Sequence, residues 1–202
     1  MRNYLNFLGK VGLYPYVDEF LQTNSGLTNP YHNLAHGLRV AYCAAEGAQL
    51  GGQPYLSLAV AGLFHDWGHP GTMGNDPENI ARAVEKIRGL PLWNPNVDLD
   101  IAAHAVEGTV FPAPDGFKPT PAQGILRDAD FWHAAYLSEE DWLMVQAGLA
   151  REFGKTLPEW LVGNINYLRT VPTHSVWGEY IAPQFRPILV KQAEIWVERL
   201  VR

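Results

Sequence analysis

PYHNLAHGLRVAYCAAEGAQLGG, residues 30–52, is the stretch that settles the fold class. Leu34, Leu38, Ala41 and Ala45 follow i, i+4, i+7 and i+11, the period of an apolar helical stripe. Gly51-Gly52 then stops the pattern, so a helix is predicted over residues 30–50. His32 and His36 lie within it at helical spacing, which would set both imidazoles on one face.

Outward from this helix the same period recurs and strand alternation is scarce. Residues 53–65 read as a second, largely buried helix. Asp76-Pro77-Glu78 reads as a helix start, with Asp as N-cap and Pro at N1, running to about residue 88. Residues 97–106, 120–137, 138–153, 158–168 and 187–201 carry patterns of the same type. No repeat or linker interrupts them, so one all-α domain over residues 1–202 is expected. The segment FPAPDGFKPTP, residues 111–121, holds four prolines and a glycine and is a loop, either a lid or a plain surface connection.

Composition narrows the function classes. The formal net charge is −6 and no Lys or Arg run stands out, which argues against a long nucleic-acid partner. A small phosphorylated ligand stays compatible, because bound cations can supply positive charge locally. Cys43 is the single cysteine, so an intrachain disulfide is excluded and a reducing compartment fits. The opening MRNYLNFLGKVGLY has too short an apolar core for a secretory leader, and no run reaches the ~18 apolar residues of a membrane span. A cytoplasmic protein without membrane attachment is expected; the oligomeric state is not set by these features.

The chemistry concentrates in histidines and acids. GLFHDWGHPG, residues 62–71, repeats the four-residue spacing with His65 and His69, so four of the seven histidines fall in two such pairs. Asp66 follows His65 directly, after the apolar run of residues 58–64. A carboxylate buried there is costly unless something pairs with it, and a divalent metal would do so. Mixed imidazole and carboxylate ligation suits Zn, Mn, Fe or Mg. GILRDADFW, residues 124–132, offers Asp128 or Asp130 as a further acid. Two residues apart on a helix, they cannot both face inward, and the other would lie on a solvated face.

These motifs resemble the HD superfamily of metal-dependent phosphohydrolases. Tyr31-His32-Asn33-Leu34-Ala35-His36 is similar to the YHNxxH motif of class I cyclic nucleotide phosphodiesterases, and His65 to Gly71 to their HDxxHPG. Asn75 matches the asparagine that follows, and LRDADF and NDPENIARA are similar to stretches of small bacterial HD phosphohydrolases. The resemblance covers about residues 28–135 and implies an HD-type helical bundle with a binuclear metal site. It implies two divalent ions (Mn, Zn, Fe or Mg), with His36, His65, Asp66 and Asp130 as ligands of the first and Asp66 bridging to the second. It implies that a hydroxide shared by the ions attacks phosphorus, that His32 is the general acid, and that His69 hydrogen-bonds a water or phosphate oxygen.

The activity implied is hydrolysis of a small cyclic nucleotide. Alternatives are an HD-type nucleotidase or deoxynucleotide triphosphohydrolase, and a metal-bound nucleotide-binding module without turnover. The family's purine clamp, a Gln and a Phe three apart, has no counterpart; Gln184 and Phe185 are adjacent and diverge by ~100° on a helix. Trp67, Phe111, Trp132, Trp177 and Phe185 are candidates either to stack a base or to fill the core. His104 would rim the site or lie at the surface, His133 is read as structural, and His174 sits in a turn without a visible partner. Arg39, Lys118 and Arg127 could meet a phosphate or simply be surface cations.

Overall fold

The computed structural model describes residues 2–72, 76–114 and 116–201. The helix around His36 forms as α3 (Leu34–Leu50), and α4 (Tyr55–Phe64) packs along it. Their approach is close because Gly62 faces α3: a Cβ there would come within 2.7 Å of the Ala41 Cα. On α4 every residue from Leu56 to Phe64 is buried, as the unbroken apolar run required.

Before this pair lie α1 (Arg2–Lys10) and α2 (Tyr14–Thr23), which the sequence pattern had not revealed. Tyr16, Val17 and Phe20 of α2 are buried, and Phe20 meets Phe64 edge to face at 5.5 Å. After the pair come α5 (Asp76–Arg88), α6 (Leu99–Glu107), α7 (Pro121–Trp132), α8 (Glu139–Glu152), α9 (Leu157–Thr170) and α10 (Val176–Val201). The described residues are therefore all-α, as expected, and contain no strand. None of these helices is long and apolar enough to cross a membrane.

Three boundaries differ from the sequence reading, each for a local reason. Helix α3 begins at Leu34 rather than residue 30, because Asn33 is its N-cap and accepts from the amides of Ala35 and His36. Helix α7 stops at Trp132 and a 3₁₀ turn, His133–Tyr136, follows, where one helix to residue 137 was expected. Helix α10 runs straight through Pro183 and Pro187, although proline had suggested a start at residue 187. Buried Trp177, Ile181, Ala182, Leu189 and Ala193 lie on both sides of the prolines, so packing carries the helix across them. Asp76 is already helical rather than the cap, and Asn75 lies outside the described residues.

Three buried faces hold the bundle together where α3, α4 and α7 meet. Leu38, Val40 and Ala41 from α3, Leu58, Ala61 and Phe64 from α4, and Ile125, Leu126 and Ala129 from α7 belong to one apolar cluster. Each large aliphatic or aromatic side chain so buried contributes roughly 1.5–3 kcal/mol. That cluster is the floor on which the histidines and acids stand.

Candidate metal centre

Four side chains converge above that floor: His36, His65, Asp66 and Asp130. Each offers one ligand atom, and all four atoms lie within 4.8 Å of one another. His36 Nε2 is 3.1 Å from His65 Nε2, 3.1 Å from Asp66 Oδ2 and 3.2 Å from Asp130 Oδ1. His65 Nε2 is 2.8 Å from Asp66 Oδ2 and 3.4 Å from Asp130 Oδ1. Ligand atoms about 2.1 Å from one ion stand about 3.0 Å apart in an octahedron and about 3.4 Å apart in a tetrahedron, so the set fits a divalent cation.

Each ligand is placed by its own element. His36 sits in the first turn of α3, its start set by the Asn33 cap. Helix α4 ends at Phe64, with His65 as its C-cap and Asp66 in the turn beyond. Asp130 stands in the last turn of α7, whose N-terminus is fixed by a capping box between Thr120 and Gln123. The His65 Nδ1–H donates to the Gly62 carbonyl at 2.8 Å, which leaves the Nε2 lone pair facing the cluster. His36 is fully buried and its Nδ1 has no hydrogen-bond partner among the described residues.

Electrostatics in the cluster are those of a cation site. Burial alone would raise the Asp66 carboxyl, yet His65 and His32 hold it well below the usual carboxylate range. Asp130 is likewise held down, against burial, by His65 and His36. The His65 imidazole, which burial would depress, is instead raised by Asp66 and Asp130. Two half-buried carboxylates draw positive charge into this space, and a divalent ion would supply it.

The remaining half of each histidine pair goes elsewhere. His32 lies before the α3 cap and His69 after the turn at residues 65–68, so neither shares a helix face with its partner as the spacing had suggested. Instead the two rings stack on each other, centroids 3.7 Å apart and 29° between planes. Asn29 draws their loops together by donating to the carbonyls of His32 (3.2 Å) and His69 (2.7 Å). Asn24 adds a second tie, accepting from the Gly68 amide at 2.9 Å.

Glu152, which no motif had pointed to, completes this second group. Its Oε1 accepts from the amides of Tyr31 (2.6 Å) and His32 (3.0 Å), and its Oε2 meets His32 Nδ1 in a short contact. Helix α8 can bring Glu152 so near because Gly148 faces the loop, where a Cβ would lie 2.6 Å from the Pro30 carbonyl oxygen. His32 Nε2 is thereby turned toward the metal centre, 3.9 Å from Asp66 Oδ2. Burial lowers the His32 imidazole, but Asp66 and Glu152 outweigh it and the balance is upward. His69 moves the other way, down to about 4, through burial and the neighbouring His32. Since His69 Nδ1 accepts from the Gly71 amide at 3.1 Å, the neutral ring carries its proton on Nε2.

The two acids of α7 separate completely. Asp128 is buried, not solvated as the sequence had suggested, and accepts from the His174 amide (2.9 Å) and the Ser175 hydroxyl (2.6 Å) at the start of α10. Of the other candidates, His104 is exposed beside Glu107, His133 is buried and donates from Nδ1 to the Asp130 carbonyl, and His174 serves Asp128 through its backbone. Arg127 is spent on the carbonyls of Gly108 and Val110, Arg39 lines a cavity with Tyr4 and Asp141, and Lys118 is exposed. Trp132 and Trp177 are core, and Phe185 packs near Tyr136.

No protein-family model, no curated protein and no solved structure matches this chain, so its reading rests on the convergence of His36, His65, Asp66 and Asp130.

Proposed function

We propose that the chain is an HD-type, metal-dependent phosphohydrolase that cleaves a phosphodiester bond in a small, cyclic nucleotide. The observation that carries this reading is the placing of two unlike groups side by side: a cation site of two imidazoles and two carboxylates, and a carboxylate-backed imidazole, His32 with Glu152. A metal-binding module needs only the first group, whereas the second supplies the proton donor that a reaction with a poor leaving group calls for.

His36, His65, Asp66 and Asp130 would hold the first of two divalent ions. When bound, such ions supply Lewis acidity to a phosphoryl group and lower the pKa of water. The chain's own residues do the rest. Glu152 fixes the His32 ring and stabilises its protonated form, so that Nε2–H is aimed at the centre. From there His32 donates a proton to the departing sugar oxygen, which needs it because an alkoxide leaves poorly. His69, neutral and protonated on Nε2, donates a hydrogen bond to a phosphate oxygen without competing for the proton.

The test is release of product from a nucleotide panel by purified protein supplied in turn with Mn, Mg, Zn and Fe. Cyclic nucleotides should yield monophosphates. Nucleoside with triphosphate would transfer the reading to a triphosphohydrolase, and binding without product would sink it.

A further inference from the structure

An exposed aromatic ledge stands beside the metal centre and takes no part in the chemistry above. Phe111 is 57% exposed and Tyr167 is 37% exposed, and their rings meet edge to face at 5.9 Å. Tyr167 in turn meets Phe131 at 5.2 Å, and Phe131 directly follows the ligand Asp130. This partly solvent-facing aromatic pair adjoins, through Phe131, the helix turn that carries Asp130.

The ledge is held in place. The Phe111 amide donates to Asp76 Oδ2 at 2.6 Å. Arg127 Nη1 donates to the carbonyls of Gly108 (2.7 Å) and Val110 (3.0 Å), just before Phe111, and its guanidinium lies over the Phe117 ring at 5.5 Å. Arg127 and Phe131 are one turn apart on α7, so the same helix that carries Asp130 also fixes the loop. The other aromatic candidates are engaged: Trp132 and Trp177 are buried, and Trp67 gives its N–H to Thr23 under the ammonium of Lys86.

We propose that Phe111, Tyr167 and Phe131 form a subsite for a planar heteroaromatic ring, the base of a nucleotide whose phosphate lies on the metal centre. This rests on the phosphohydrolase reading only for the identity of the phosphate site. Phe111 is on this view the wall that selects ring-bearing esters. Stacking on protein aromatics suits the proposal because every base presents a π-face, so purine and pyrimidine should both bind.

Calorimetric titration of the Mn-loaded protein with adenosine and cytidine 5′-monophosphates and with ribose 5-phosphate tests it. Both nucleotides should bind about 5- to 150-fold tighter than ribose 5-phosphate, the fold-change equivalent of roughly 1–3 kcal/mol of stacking. Phe111→Leu with Tyr167→Leu should bring the ratio toward one while leaving ribose 5-phosphate affinity intact; both rings are solvent-facing, and circular dichroism checks the fold. An unchanged ratio in the variant overturns the subsite, as does a wild type that binds the three alike or binds none. Hydrolysis separates this outcome from that of the reaction. Ring preference without turnover would keep the subsite and remove the activity, whereas equal kcat/KM on a cyclic nucleotide and a ring-free cyclic ribose phosphate would do the reverse.

Discussion

The two histidine groups begin alike and end in opposite electrostatic states. In the first, His36 and His65 point Nε2 at two carboxylates and together make a place for a cation. In the second, His32 and His69 stack; Asp66 and Glu152 raise the His32 ring, while burial and that ring lower the other. Each group takes one histidine from each sequence pair. Side-chain state thus follows the spatial partner: His65 and His32, which meet carboxylates, are raised, while His69, buried against another imidazole, is lowered.

The largest effect that would break this contrast lies in the first group. Asp66→Ala should abolish activity and strip bound metal, because the remaining imidazoles and Asp130 no longer balance a cation; retention of full metal content, read by atomic absorption, would defeat the assignment. Asp130→Asn should cost much of the metal affinity and Asp128→Asn little, since only Asp130 faces the histidines. Chelation of the wild type should lower Tm, as a ligand set folded around an ion loses its linkage free energy.

His32 sharpens the contrast next. His32→Ala should leave metal content unchanged and slow cyclic nucleotide hydrolysis by about 10²–10⁴-fold, the usual worth of a positioned proton donor. An activated p-nitrophenyl phosphodiester should be only mildly affected, because its leaving group departs without a proton. Equal losses on both substrates would mean that His32 positions phosphate instead.

A smaller effect is expected at Glu152, about 10–100-fold for Glu152→Gln by analogy with residues that orient catalytic imidazoles. The sign of its pH effect can be worked out. Glu152 raises the His32 imidazole, and the protonated ring is the active form, so the alkaline limb of the kcat profile should move to lower pH in the variant. A limb that stays in place would show that Glu152 only holds the loop.

The smallest effect concerns stability and sits outside both groups. Burial pushes Asp128 up to about 6, against the bonds from Ser175 and His174. A carboxyl raised on folding gives stability that is full below its unfolded pKa near 4 and lost as pH rises through about 6. Wild type measured against Asp128→Asn should therefore lose relative stability between pH 4 and pH 7, by roughly 1–3 kcal/mol. Parallel denaturation profiles of the two proteins across that range would contradict it. Comparison at each pH cancels the titration of the metal site.

By itself the sequence determined that this chain is helical and where its central helices lie. Apolar period and the Gly51-Gly52 stop are properties of neighbouring residues, so they are legible wherever backbone geometry is local. The Asn33 cap, which starts α3 at Leu34 rather than residue 30, emerges only in the structure. The company of His36, His65, Asp66 and Asp130 could be anticipated from motif resemblance, because an acid in an apolar run demands a partner. Only the tertiary structure decided that His32 belongs with His69 and Glu152, that Asp128 accepts from Ser175 just before α10, and that Phe111 meets Tyr167. These contacts span 37, 120, 47 and 56 positions of chain. They are fixed by which helices pack and how closely, through features such as Gly148 against Pro30. Glu152 carries no signal of its own in the sequence; the loop it must grip, at Tyr31 and His32, is delivered to it by the fold.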